Sequence, residues 1–153
     1  MIVEHNIAQN SPEWHALRCG QLTASNFSNV VTGAGKKSAS AAAYEDRLVA
    51  ERLTGERKEG HYSLSMNHGN EFEGDARDIY ALECAMADDG RAVRELGCVW
   101  NSELGAGCSP DALVDGGETP GGLEAKCPDT STFIAWARAG EKVPSKHVVQ
   151  IHG

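Results

Sequence analysis

The apolar positions of this 153-residue chain change their period once, near Asp89-Gly90, and that change divides the reading. Before it the spacing is helical. Ser11-Pro12-Glu13-Trp14 reads as an N-cap with proline at the first helical position, opening a short helix to about Leu17. Thr23-Ala24-Ser25-Asn26-Phe27 reads as a second cap and predicts a helix reaching Val31. Over residues 41–53, Tyr44, Leu48, Val49 and Leu53 share one stripe, and Gly55 ends that helix. His61 to Asn67 is polar and irregular. A long helix is expected from about Gly69 to Ala87, burying Phe72, Ala76, Ile79, Tyr80 and Leu82.

After the turn signal the pattern predicts three strands, Ala92–Trp100, Gly107–Val114 and Gly122–Cys127. Asn101-Ser102-Glu103 and Asp115-Gly116-Gly117-Glu118 suit antiparallel connections. Residues 131–139 return to a helical pattern with Phe133, Ile134, Trp136 and Ala137. Pro144-Ser145 then opens another apolar segment, His147-Val148-Val149-Gln150-Ile151. Helices, a small sheet and helices again make an α/β or α+β layer arrangement. The chain shows no internal repeat and no low-complexity tract.

Composition narrows the class. The length suits one domain with one core, and 41% apolar with 24% charged residues is ordinary for a globular protein. No apolar run approaches the roughly 20 residues of a membrane-spanning helix. Met1-Ile2-Val3-Glu4-His5 lacks the basic-then-apolar order of a secretory leader, so a cytoplasmic location is expected. Five cysteines, with no C-x-x-C pair, argue against a disulfide framework or a zinc knuckle. Gly33-Ala34-Gly35-Lys36-Lys37-Ser38 has Val30 where a phosphate loop needs its first glycine, and Lys37 where it needs Ser or Thr. A net charge of −8 disfavours a general nucleic-acid coat. It leaves room for a DNA enzyme, because phosphate contact depends on the local field and bound metal ions offset acidic residues.

The chemistry gathers in Pro110-Asp111, twelve residues, then Glu124-Ala125-Lys126. Asp111 is expected at the start of one strand and Glu124 on its neighbour. Two carboxylates on one side hold Mg²⁺, a hard cation that prefers oxygen. Residues i and i+2 of a strand face the same way, which sets Lys126 beside Glu124. The Ala125 carbonyl is a candidate third oxygen ligand. Metals there polarise a scissile phosphate and lower the pKa of an attacking water. Lys126 is a candidate to orient that water, to stabilise transition-state charge, or to act as base. The pattern alone arises by chance in about one chain in twenty of this length, so its company decides.

That company resembles the lambda exonuclease family, also called YqaJ-type viral recombinases. Ala106-Gly107-Cys108-Ser109-Pro110-Asp111-Ala112-Leu113 and Gly122-Leu123-Glu124-Ala125-Lys126-Cys127-Pro128 are similar to the family's core. Trp14-His15-Ala16-Leu17-Arg18-Cys19-Gly20-Gln21-Leu22-Thr23-Ala24-Ser25 resembles its W-x-x-L-R-x-G-x-x-T-A-S signature. Gly69-Asn70-Glu71-Phe72-Glu73-Gly74-Asp75-Ala76-Arg77 with Tyr80 resembles its G-x-x-x-E-x-x-A-R helix, and Val149-Gln150 the start of its final motif. The resemblance covers essentially the whole chain.

It implies a restriction-endonuclease-like α/β core, a small mixed sheet flanked by helices, as a single nuclease domain over 1–153. It implies Asp111, Glu124 and the Ala125 carbonyl as ligands of Mg²⁺ or Mn²⁺, and Lys126 as the catalytic lysine. Glu73 would face the same site through a metal-bound water, and Gln150 would help place the nucleophile. Arg18, Ser25 and Ser109 would grip the 5′-phosphate of a DNA end. The implied activity is 5′→3′ exonuclease action on duplex DNA ends in phage-type recombination. A homotrimer, a single-strand annealing partner and a phage or prophage origin in a bacterial cell are implied with it. Arg18, Lys36, Lys37 and Arg47 become candidate residues of a basic channel. Two departures stand out. His152 replaces the family's second glutamine, and the chain stops within the final helix, so a C-terminally truncated copy is expected. Competing readings are a structure-specific or single-strand nuclease of the same fold, and an inactive fragment that binds DNA ends or a protein.

Overall fold

The computed structural model describes residues 1–57, 64–118, 120–140 and 142–152. The chain divides into two compact units. One comprises Met1–Glu59, Gly97–Ser109 and Val143–Gly153; the other comprises Gly60–Leu96 and Pro110–Lys142.

The first unit carries strand β1 (Ile2–His5), helix α1 (Pro12–Arg18), strand β2 (Leu22–Thr23), a 3-10 helix (Ala24–Asn29) and helix α2 (Ala41–Thr54). The second unit opens with α3 (Leu64–Ala87) and β3 (Ala92–Arg94). The chain then returns to the first unit for β4 (Cys98–Asn101) and β5 (Ala106–Cys108). It gives the second unit β6 (Ala112–Asp115), β7 (Gly121–Leu123) and α4 (Thr130–Ala139), and ends in the first with α5 (Ser145–His152). The first unit's sheet has the order β1-β4-β5-β2. It is mixed, with β1/β4 and β4/β5 antiparallel and β5/β2 parallel. The second unit's sheet, β3-β6-β7, is antiparallel. The fold is therefore mixed α/β with small sheets and helices, as expected, but with two sheets where one was predicted.

Two breaks make the second sheet. The expected strand Ala92–Trp100 stops after Arg94 and restarts at Cys98. Gly97 lies between the halves, and a side chain there would collide with the Ile7 backbone. The expected strand Gly107–Val114 stops at Cys108 because Pro110 has no N–H to give a ladder. Its second half, β6, belongs to the other unit. The third expected strand is shorter than predicted. β7 ends at Leu123, so Glu124–Lys126 lie just past the ladder and not within it.

Capping chemistry behaves as the residues dictate. Trp14 N donates to Ser11 Oγ at 3.2 Å with Pro12 at the first helical position. Gly55 ends α2 at φ 70°, where only glycine is unstrained. The segment after Thr23 does not form the predicted α-helix to Val31. Asn26 Nδ2 donates to Thr23 Oγ1 at 3.0 Å and Asn29 Nδ2 to Asn26 Oδ1 at 3.3 Å, and the short polar side chains hold a 3-10 helix that ends at Asn29. Helix α3 begins at Leu64, five residues before the predicted start, so 64–67 of the segment expected to be irregular over 61–67 are helical; 61–63 lie outside the described residues. All five cysteines are free. Among the described residues no helix is long and apolar enough to cross a membrane.

The buried stripes differ from the apolar ones. On α2 the inward positions are Ala41, Tyr44 and Glu51, while Val49 and Leu53 are exposed. Glu51 is 4% exposed and accepts the Gly20 N–H at 2.9 Å. On α3, Phe72, Ile79 and Leu82 are exposed, and the more covered line runs through Glu73, Ala76, Arg77, Tyr80 and Cys84. Polar partners choose that face: Arg77 pairs with Glu95 at 2.8 Å, and Arg91 Nη1 donates to Tyr80 Oη at 3.2 Å.

Glu51→Ala is expected to lower stability by about 1–3 kcal/mol, the usual cost of stranding a buried donor. Leu53→Ala, at an 83% exposed position, should change it by less than about 0.5 kcal/mol. Urea midpoints measure both; a greater loss at Leu53 would restore the stripe predicted from periodicity.

Candidate active site

Each unit holds one cluster of candidate functional side chains. In the second unit the cluster is acidic. Asp111 stands one residue before β6, and its N–H donates to Leu123 O at 2.9 Å, extending the β6/β7 ladder by one bond. Past β7 the chain turns so that the Ala125 N–H donates to Asp111 Oδ2 at 2.5 Å. Lys126 Nζ forms an ion pair with Glu124 Oε1, both partly covered. From α3, Glu73 reaches the Asp111 carboxyl and shares a hydrogen bond with it. The structure thus joins Asp111, Glu73 and the Ala125 backbone, with the Glu124–Lys126 pair beside them in the chain.

Burial pushes Asp111 up to about 7, helped by the Glu73 carboxyl; the Ala125 N–H and the Lys126 ammonium act the other way. Two carboxyls that share a hydrogen bond must hold a proton between them. A divalent cation does the same task with more charge. Among the described residues no group of three or more His, Cys, Asp or Glu stands in ligating geometry. What the structure joins is the Asp111–Glu73 carboxyl pair, with the Glu124–Lys126 ion pair next to it in the chain. An all-oxygen set with few protein ligands fits Mg²⁺, which keeps several waters and takes one or two carboxylates.

In the first unit the cluster is basic. Arg18, at the end of α1, is 7% exposed. Its Nη1 donates to Ser109 Oγ at 2.7 Å and its Nη2 to Ser25 Oγ at 3.4 Å. Its guanidinium lies 4.0 Å from the centre of the Trp14 ring. Trp14 is itself pinned, its Nε1 donating to Gly97 O at 3.0 Å and to Ser109 Oγ at 2.9 Å. Arg18 Nε is buried with no hydrogen-bond partner among the described residues. Burial, and after it the neighbouring Arg57, lower the Arg18 pKa to about 10, which leaves it a cation at neutral pH. A buried guanidinium held by two hydroxyls, with a donor to spare, is an anion site in waiting.

The other candidates fall elsewhere. Gln150 lies on α5, in the unit that holds Arg18 rather than the one that holds Asp111. Arg47 stacks over Tyr44 and approaches Glu51 at 3.6 Å, and Lys37 pairs with Glu45 at 3.7 Å. Both therefore have local acidic partners. Sequence reasoning missed Arg57, which sits after the Gly55 stop in a polar run with no apolar neighbour to mark it.

Residues 13–153 match the family described as the YqaJ-like viral recombinase domain, and the chain belongs to that family. It is similar to the crystal structure of an alkaline exonuclease, LHK-Exo, from Laribacter hongkongensis, at 35% identity and a TM-score of 0.72. That match covers 92% of this chain and 64% of the exonuclease, so the chain spans just under two thirds of its relative. The same exonuclease in complex with dAMP matches equally, at 35% identity and a TM-score of 0.72, covering 92% of this chain and 65% of that one. No curated protein matches the chain.

An acid whose folded pKa stands above its unfolded value of about 3.9 holds its proton more tightly when folded. Its contribution to stability is whole below pH 4 and is lost as pH rises to about 7, where the Asp111 carboxyl ionises. In metal-free buffer, Asp111→Asn should therefore gain thermal stability over the parent as pH rises from 5 to 8, measured by thermal melts. A constant difference across that range would separate Asp111 from the effect.

Proposed function

We propose that this chain carries the centre of a metal-dependent exonuclease that hydrolyses duplex DNA from its ends in the 5′→3′ direction. The observation that carries the reading is the acid cluster: a half-buried Asp111 sharing a hydrogen bond with Glu73, flanked by the Glu124–Lys126 pair. Family membership supports the same assignment. The relative's complex with dAMP, a deoxynucleoside monophosphate, fits the product class.

On this reading Asp111, Glu124 and the Ala125 carbonyl hold Mg²⁺ or Mn²⁺, with Glu73 next to them. The metal supplies Lewis-acid activation of water and phosphate. The chain's own residues divide the remaining work. The Ala125 N–H fixes Asp111 in orientation. Lys126, held by Glu124, places an ammonium where negative charge grows on the phosphate oxygens. Gln150 helps to place the attacking water. Arg18, with Ser25 and Ser109, takes the 5′-phosphate of the strand end. Arginine suits that task because its fork binds two phosphate oxygens at once. The working form is a homotrimer on double-stranded DNA ends, acting with a single-strand annealing protein in phage-type recombination in the cytoplasm of a bacterial host.

Linear duplex bearing 5′-phosphates, incubated with Mg²⁺ or Mn²⁺, should release mononucleotides. Asp111→Ala and Lys126→Ala should each lower the rate by at least about 100-fold. Labelling one strand end at a time reads the polarity. A folded parent protein that releases nothing with either metal, or release that survives Asp111→Ala, sinks the reading.

A further inference from the structure

We propose that Arg57 is a second cation of the Arg18 anion site, and that the pair selects a terminal phosphomonoester over a phosphodiester. This deepens the end-phosphate reading above and rests on it.

The geometry comes from one aromatic ring. The Arg18 guanidinium lies 4.0 Å from the centre of the Trp14 ring and that of Arg57 5.7 Å from it. Each is thus anchored on a residue that is itself fixed at both ends of its hydrogen bond to Gly97 and Ser109. Arg57 Nη1 also lies 3.2 Å from His15 Nδ1, and the His15 ring stands edge-on to Trp14, 5.0 Å between centroids. A guanidinium can only donate in that contact, and an imidazole nitrogen that accepts leaves the Arg57 charge uncompensated.

Two cations therefore share one indole, and among the described residues neither has a carboxylate partner. The groups that favour the Arg18 charge are the Cys98 and Cys108 thiols and the Tyr44 phenol, none of them a carboxylate. The Arg57 charge disfavours that of Arg18. Such like-charge proximity is costly in an empty site and is relieved by an anion placed against both. Arg18 also keeps its buried Nε–H unused, and its two Nη groups are shared with hydroxyls, which accept or donate and so adapt to phosphate oxygens.

The charge count then decides the ligand. An internal phosphodiester carries one negative charge, which Arg18 alone balances. A phosphomonoester carries close to two at neutral pH, with a second pKa of about 6 and three free oxygens. The second guanidinium matters only for the second charge. Arg57 is accordingly a specificity residue for DNA ends, acting on the phosphate itself and not on the metal cluster, which belongs to the other unit.

The test is equilibrium binding of a short blunt duplex to the whole protein in EDTA, so that no cleavage intervenes. The readout is the ratio of affinities for 5′-phosphate and 5′-hydroxyl ends. Arg57→Gln is expected to lower that ratio about tenfold, the scale of one charge-assisted contact, and to reduce the salt dependence of binding to the phosphorylated end by about one ion. Arg57→Lys, which keeps the charge, should retain most of the ratio. Equal weakening on both ends would mean Arg57 merely supports the fold, and an unchanged ratio would mean it does not meet the phosphate; either overturns the proposal. Arg18→Gln separates the two levels. If it abolishes discrimination while Arg57→Gln does not, the end-phosphate reading stands and the role of Arg57 falls. If the parent protein shows no discrimination at all, the end-phosphate reading falls, and the proposal with it.

Discussion

Two carboxyl groups cannot lie within hydrogen-bond reach and both be ionised unless something positive stands between them. Asp111 and Glu73 are in that position, and burial adds to the cost of charging Asp111. The surrounding structure keeps them there. The β6/β7 ladder continues through the Asp111 N–H to Leu123, the Ala125 N–H fixes Oδ2, and the partly covered face of α3 delivers Glu73. Each contact restrains a backbone segment as well as a side chain. A proton resolves the conflict in the metal-free protein, and on the proposed reading a divalent cation takes that place. Lys126 offsets only part of that cost, because its ammonium is paired with Glu124. The order of the four residues is thus set by which negative charges lack a partner.

The other unit poses the opposite problem and solves it in the same style. Arg18 is buried, and among the described residues its guanidinium is met by two hydroxyls and an indole face. Ser109 closes β5 and is followed at once by Pro110, where the chain passes into the second unit. The six-residue block from Ser109 to Val114 thereby contributes a hydroxyl to the basic cluster, a carboxylate to the acidic one, and a strand. That is a physical reason for the Ser-Pro-Asp order: a polar side chain, a stop to the ladder, and an acid placed just before the next ladder begins.

Much of this was legible in the sequence, and the failures share a cause. Ser11-Pro12 and Gly55 were readable because capping and left-handed backbone depend on local chemistry. The Pro-Asp and Glu-x-Lys elements stood out through the company of the other family motifs, since their spacing alone arises by chance in about one chain in twenty, and the strand expected to carry Glu124 and Lys126 ends at Leu123. What periodicity could not show was that polar residues would hold the inward faces. On α2 a buried Glu51 satisfies Gly20 and outranks Leu53; on α3 Glu73, Arg77 and Tyr80 find polar partners and turn Phe72, Ile79 and Leu82 outward. An apolar stripe is evidence of burial only when no polar partner competes for the face. The second sheet was hidden for a related reason. Nothing in Ala92–Trp100 signals that Gly97 must clear the Ile7 backbone, since that neighbour is distant in sequence. Arg57 was invisible altogether, because a cation gains meaning only from the ring it rests on.

A net charge of −8 over the chain stands against the proposed DNA substrate, yet the two clusters show why the sum is a poor guide. Charges exposed on a surface are screened within about 10 Å at ordinary salt, so most of the 22 acidic residues have little reach. A guanidinium held in a site of low polarity is screened far less, and its field acts on whatever enters. The sign of the total describes solubility and approach; the sign of the few buried, uncompensated groups describes recognition. Here those groups are of both kinds, acids that call for a cation and arginines that call for an anion. On the proposed reading a hard metal ion answers the first and a phosphate monoester the second.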